Sequence, residues 1–155
     1  MSLKEEAELL RRIPLFAEIE PAKLKLLAFT SERIDFAPGQ YLFHQGEMGD
    51  AAYILIEGVA AVVMQSAAGP RIVARLGRDD VVGEVAVLGE VPRTASVRAE
   101  TPLTVLRISK EAFLGLLRDF PQMAVCMMRV VAQRLENTTG QLRQALAEGN
   151  GADAA

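Results

Sequence analysis

The sequence has one cysteine, one histidine and no tryptophan in 155 residues. One cysteine excludes an internal disulfide, so the chain is compatible with a reducing compartment. Cys126 falls in an apolar helical run and reads as a buried, inert thiol. A single histidine, His44, excludes multi-histidine metal sites and leaves no Cys-His pairing to expect. It sits at a strand end and reads as an ordinary surface residue. Long hydrophobic runs are missing as well. No stretch approaches the roughly 18 apolar residues that a membrane-spanning helix needs, and the most apolar helical stretch, 123–132, is broken by Arg129. The first residues, MSLKEEAELL, are charged and amphipathic, unlike a signal peptide. Basic clusters beyond pairs such as Arg11-Arg12 are also lacking, and net charge is -3. Direct nucleic-acid binding, which calls for a basic face, is therefore not expected. Cytoplasmic localisation is the expectation that follows.

What is present fits one soluble globular domain. Half of the residues are hydrophobic and 24% are charged, enough apolar material for a real core. The order is helices, then short strands, then helices. Leu3, Ala7, Leu10 and Arg11 fall at near-helical spacing, which Pro14 ends. Pro21 opens a second helix over 22–29. From Arg33 to Ile108, short apolar segments alternate with Pro38-Gly39, Gly46, Gly49-Asp50, Gly58, Gly69-Pro70 and Gly77. The predicted strands are 41–43, 53–56, 59–64, 72–76, 95–99 and 103–108. Such punctuation predicts a sandwich or small barrel. Within it, 83–88 carries little turn chemistry and reads as a single helical turn. Ser109 is an N-cap candidate for a helix over 110–118.

Pro121 starts a long helix predicted to run to about residue 146. There Ala124, Met128, Val131, Leu135, Thr138, Leu142 and Ala145 recur at alternating four- and three-residue spacing. This is a heptad seam. Met123, Met127 and Val130 form a second apolar flank, so one face can pack on the domain and the other on a second copy. Gly140 weakens the seam by about 1 kcal/mol. The expectation is a homodimer through the 121–146 helix. The domain is read as 1–148, divided into N-terminal helices (1–30), strands (31–108) and C-terminal helices (109–148), with a flexible tail at 149–155.

The chemistry concentrates in 82–97, VGEVAVLGEVPRTASV. Gly83-Glu84 precedes Arg93 across nearly uncharged sequence. An acid and a base in apolar surroundings need partners, because an unpaired buried charge costs several kcal/mol. Free amides at the start of a helical turn attract an anion. Gly83 permits close approach of a ligand. Arg93 offers a planar fork for phosphate oxygens, Thr94 a hydroxyl and Ala95 an amide. Glu84 can accept from sugar hydroxyls. One arginine suits a singly charged phosphodiester, and no Walker-type Gly-Lys-Ser/Thr is present for a triphosphate. The bland alternative is a structural ion pair, or two surface charges.

Gly83-Glu84-Val85-Ala86-Val87-Leu88 and Pro92-Arg93-Thr94-Ala95-Ser96-Val97 together resemble the phosphate-binding cassette of the cyclic nucleotide-binding domain family. Upstream, Pro38-Gly39-Gln40-Tyr41-Leu42, Gln45-Gly46-Glu47-x-Gly49-Asp50 and Tyr53-Ile54-Leu55-Ile56-x-Gly58 resemble that family's glycine-marked strand turns in the same order. The likeness covers roughly residues 10–145. Val82 departs from it, since the family often has Phe there. The resemblance implies an α+β, mainly β chain: an antiparallel β-roll or jelly-roll barrel with short N-terminal helices, a cassette helix and two C-terminal helices. It implies that Gly83, Glu84, Val85, Arg93, Thr94 and Ala95 bind ligand. The Gly83 and Glu84 amides and Arg93 would hold the cyclic phosphate, and Glu84 the ribose 2′-hydroxyl. Ala132-x-Arg134-Leu135-x-x-Thr138-Thr139 is similar to the dimer helix of bacterial cAMP-responsive activators, where such a pair reaches the adenine. Thr138 and Thr139 thereby join the ligand-binding candidates.

The function implied is a non-enzymatic cyclic-nucleotide sensor, with cAMP as preferred ligand and no cofactor. Binding would move the C-terminal helices, with Val87, Leu88 and Phe113 as packing links. Alternatives remain. Thr94 resembles the cassette threonine of cyclic nucleotide-gated channels, which also accommodates cGMP. A ligand-free structural copy of the domain, or a regulatory fragment of a transcription factor or channel, are others. A cupin-like enzyme would need two or three histidines, and a hydrolase a metal or an activated nucleophile. Neither set is present in this sequence.

Overall fold

In the computed structural model the described residues are 3–13, 16, 17, 19–122, 124, 125, 128, 129, 132, 133, 136, 139, 140, 143, 144 and 146. Two N-terminal helices, α1 (Leu3–Arg11) and α2 (Pro21–Thr30), precede the strands β1 (Glu32–Phe36), β2 (Tyr41–Phe43), β3 (Ala51–Glu57), β4 (Ala60–Ser66), β5 (Gly69–Leu76) and β6 (Val81–Val82). A short helix α3 (Glu84–Gly89) then interrupts, followed by β7 (Ser96–Ala99), β8 (Leu103–Ser109) and α4 (Lys110–Asp119). The described residues from 121 to 146 are helical.

The strands form two four-stranded sheets, β1-β8-β3-β6 and β2-β7-β4-β5. All their pairings are antiparallel, as expected for a β-roll. β3 and β8 are central in their sheet. β3 is buried on both faces, which explains why 51–56 reads as a continuous apolar run rather than as alternation, whereas β8 carries the half-buried Thr104 and Arg107 between buried residues. On one face Ala51, Tyr53, Leu55, Leu103 and Val105 meet Leu42, Ala60, Val97 and Ala99 of the second sheet. On the other, Ala52, Ile54, Leu106 and Ile108 pack against Leu10, Phe16, Leu24, Leu27 and Phe113. The helices of the second cluster therefore cover the outer face of the β1-β8-β3-β6 sheet.

Two strands lie outside the segments predicted above. β1 carries Glu32 and Asp35, poor strand formers, and is held as an edge by pairing with 103–107 of β8. β6 is two residues long, pairs with Tyr53 and Ile54, and is too short to show a period. The remaining strands match expectation to within a few residues. Ser109 caps α4, its hydroxyl accepting from the Ala112 amide at 3.2 Å. Pro21 occupies the first turn of α2. α1 ends at Arg11; Pro14 lies outside the described residues.

Candidate functional site

The segment after β6 leaves one sheet and enters the other through β7, so residues 83–95 bridge the two layers at one end of the roll. Gly83 caps α3 with φ 84°, a left-handed conformation that glycine adopts without steric cost. Its missing side chain matters too. A Cβ on Gly83 would stand 2.5 Å from Arg93 Nη1 and 3.2 Å from Phe43 Cε2.

The acid and the base of the cassette are both inside. Glu84 is 1% exposed and Arg93 3%. Arg93 Nη1 donates to the Gly83 carbonyl at 2.6 Å, and Nη2 to the Ala51 carbonyl at 2.7 Å. Nη2 also lies 3.6 Å from Asp50 Oδ1. The Phe43 ring sits beneath the guanidinium, with Cζ 3.9 Å from its centroid. Arg93 Nε is buried and makes no hydrogen bond. Burial holds the Arg93 guanidinium below its ordinary pKa, while Tyr53, Asp50, Glu47 and Glu84 pull it back up. The group stays a cation, since guanidinium pKa values lie far above neutrality.

The upstream glycine-marked turn turns out to be part of this site. The Gly46 amide donates to the Arg93 carbonyl at 2.9 Å, and the Arg93 amide to the Glu47 carbonyl at 2.7 Å. Met48 bridges Pro92. Gly49 seats against α3: a Cβ there would lie 2.6 Å from Ala86 Cβ and 2.8 Å from the Ala86 carbonyl carbon. The Gln45 amide donates to Ser96 Oγ at 2.8 Å. Two motifs some forty residues apart in sequence thus form one cradle.

Asp50 also pairs with Arg107, at 3.1 Å from Nη2. At Arg107 burial acts downward, but Tyr53 and Asp50 outweigh it and the pKa rises. Asp50, Phe43 and the Ala51 carbonyl were not among the predicted site residues. Asp50 lay inside a recognised motif, so its place in the chain was the available signal. The carbonyl has no signature in sequence at all.

Of the other predicted residues, Val85 and Thr94 are exposed and Ala95 is half-buried. Val82, the position that departs from the resemblance, is buried in the inter-sheet cluster and packs there. Thr139 is helical and half-buried; Thr138 lies outside the described residues. So do Cys126, Met123, Met127, Val130 and most of the seam, namely Val131, Leu135, Leu142 and Ala145. Of the seam residues described, Ala124 is half-buried and Met128 is 65% exposed. His44 stacks on Tyr41 with ring centroids 4.4 Å apart and places Nδ1 3.2 Å from Glu47 Oε1. Among the described residues, no cluster of three or more His, Cys, Asp or Glu could hold a metal, and no helix is long and apolar enough to cross a membrane.

Comparison with known proteins identifies the family of the chain. The family model described as "Cyclic nucleotide-binding domain" matches residues 33–120. A "CRP-like cAMP-activated global transcriptional regulator" of Mycobacterium tuberculosis is 29% identical, over 87% of this chain and 61% of its own. A "cAMP-dependent protein kinase regulatory subunit" of Emericella nidulans is 35% identical, over 70% and 26%. An uncharacterised NTE family protein of Mycobacterium bovis is 33% identical, over 83% and 22%. Among solved structures, the catabolite activator protein of Thermus thermophilus superposes with a TM-score of 0.74 at 29% identity, covering 83% of this chain and 61% of that one. The chain therefore spans between about a fifth and three fifths of the length of these relatives.

Proposed function

We propose that this chain, which belongs to the cyclic nucleotide-binding domain family, is a non-enzymatic sensor of 3′,5′-cyclic nucleotides with cAMP as preferred ligand. The observation that carries this is Arg93, a guanidinium 3% exposed whose Nε is buried without a hydrogen bond. Leaving a buried charged donor unsatisfied costs more than about 1–3 kcal/mol, and a phosphate oxygen would remove that cost. The assignment of roles follows the cassette. The Gly83 and Glu84 amides and Arg93 hold the cyclic phosphate, with Val85, Thr94 and Ala95 around it, and Glu84 accepts from the ribose 2′-hydroxyl. Thr138 and Thr139 reach the adenine. That pair, and relatives whose names carry cAMP, favour cAMP over cGMP; the exposed Thr94 is what a guanine would use.

The charge balance narrows the ligand further. Arg93 is accompanied by Asp50, Glu47 and Glu84, all close enough to act on its ionisation. A monoanionic diester fits one cation so surrounded. A dianionic 5′-monophosphate would face extra repulsion.

Coupling to the rest of the chain runs through packing. Val87 and Phe113 are in one buried cluster, with Leu88 against it. We read 1–148 as one domain in which ligand shifts the balance between positions of the C-terminal helices. Dimerisation through the 121–146 helix and a cytoplasmic location complete the proposal.

Calorimetric titration of the chain with cAMP, cGMP and 5′-AMP tests it. Saturable binding of cAMP at one per chain is expected, weaker binding of cGMP, and at least about tenfold weaker binding of 5′-AMP, the equivalent of 1.4 kcal/mol. Absence of binding by both cyclic nucleotides, or equal affinity for 5′-AMP and cAMP, would refute it.

A further inference from the structure

We propose that Phe43 is a positioning residue for Arg93, an aromatic floor that fixes the plane of the anion-binding guanidinium. The inference rests on the ligand reading above but also has a ligand-independent test. Its basis is a set of contacts on three sides of one group. Cζ of Arg93 stands 3.9 Å above the Phe43 centroid, within the range of a cation–π contact. Two edge donors are committed, Nη1 to Gly83 and Nη2 to Ala51. With one face and two edge donors fixed, the buried Nε–H keeps a single orientation. A flexible side chain would otherwise lose rotamer freedom on binding, and prior ordering removes that cost.

The fold arranges for the ring to be there. β2 pairs with β7, Tyr41 with Arg98 and Phe43 with Val97, with a register shift between the two. The irregularity lets consecutive side chains turn inward: Leu42 joins the inter-sheet core and Phe43 packs against it. The ring is braced on two sides. Tyr53 lies 5.8 Å away, centroid to centroid, and the Gly83 backbone is close enough that a Cβ would meet Phe43 Cε2 at 3.2 Å. The glycine of the cassette thus admits both the arginine and the ring beneath it. An aliphatic residue at position 43 would fill similar space without the negative ring face.

The test compares the full chain with Phe43→Leu, Phe43→Met and Phe43→Tyr. Two quantities are measured: affinity for cAMP by calorimetry, and exchange protection of the Arg93 Nε–H by nitrogen-15 NMR without ligand. Phe43→Leu and Phe43→Met are expected to lose roughly 10- to 30-fold in affinity, the range of a desolvated cation–π contact. They should also lose Nε–H protection. Phe43→Tyr, which keeps the ring face, should stay within about threefold of the parent and keep the protection. Parent-like affinity in the aliphatic variants would overturn the proposal, as would a tyrosine variant as weak as they are. If the parent itself bound no cyclic nucleotide, the ligand reading would fail alone. Phe43 would then be judged on protection, and equal protection in every variant would overturn its role.

Discussion

Arg93→Ala is expected to weaken cyclic-nucleotide binding by about 2–5 kcal/mol, roughly 30- to several-thousand-fold. The size follows from burial. A rim arginine exchanges water for phosphate and gains little, whereas this one is 3% exposed and already held by the Phe43 ring and two backbone carbonyls before ligand arrives. The substitution would also leave the Gly83 and Ala51 carbonyls without the donors they have at 2.6 and 2.7 Å. Some loss of folding stability is therefore expected alongside, offset by removal of a buried charge. Arg93→Lys separates the two effects. A lysine keeps the charge but not the planar fork, so it cannot span both carbonyls and still present an edge to phosphate. It should bind nearly as poorly as the alanine variant. Calorimetry on both variants, with thermal melts as the folding control, gives the answer. A lysine variant binding like the parent would show that charge alone, without the fork, makes the site.

Phe113→Ala should destabilise the fold by about 3–5 kcal/mol, as large-to-small changes at buried aromatics do. Phe113 is fully buried and is the deepest anchor of α4 on the roll. Its cluster joins Val87 of α3, Leu106 and Ile108 of β8, and Leu24 and Leu27 of α2. Folded domains typically hold only about 5–15 kcal/mol, so this one cavity removes a large share. Denaturant titration measures it directly. A loss below about 1 kcal/mol would mean that α4 is not held by this cluster, and the packing link from cassette to C-terminal helices would go with it.

Much of this was legible in the sequence because the signals are local. The cassette helix, the Ser109 cap and the Pro21 start each depend on residues within one turn of chain. The short apolar segments of β3 and β8 marked strands of a sandwich or barrel; that β3 is buried on both sides, which erases alternation along 51–55, appears only in the structure. What stayed hidden is long-range. β1 reads as a charged stretch, and only the β8 edge makes it a strand. β6 is two valines whose assignment depends on Tyr53 and Ile54 across the sheet. In the site, Glu84 and Arg93 were visible as residue types. The partners that fix Arg93 were not, since two are backbone carbonyls and the third is an aromatic fifty residues earlier. Gly49 belonged to a recognised turn, yet its reason, contact with Ala86, appears only when loop and helix meet.

A crystal structure of the chain with cAMP shows which groups hold the nucleotide. The cyclic phosphate is expected within hydrogen-bonding distance of the Arg93 guanidinium and the Gly83–Glu84 backbone, with the ribose on the Glu84 carboxylate. Nucleotide bound elsewhere on the roll, or Arg93 still engaged only by its own carbonyls beside an empty cassette at saturating cAMP, would contradict it.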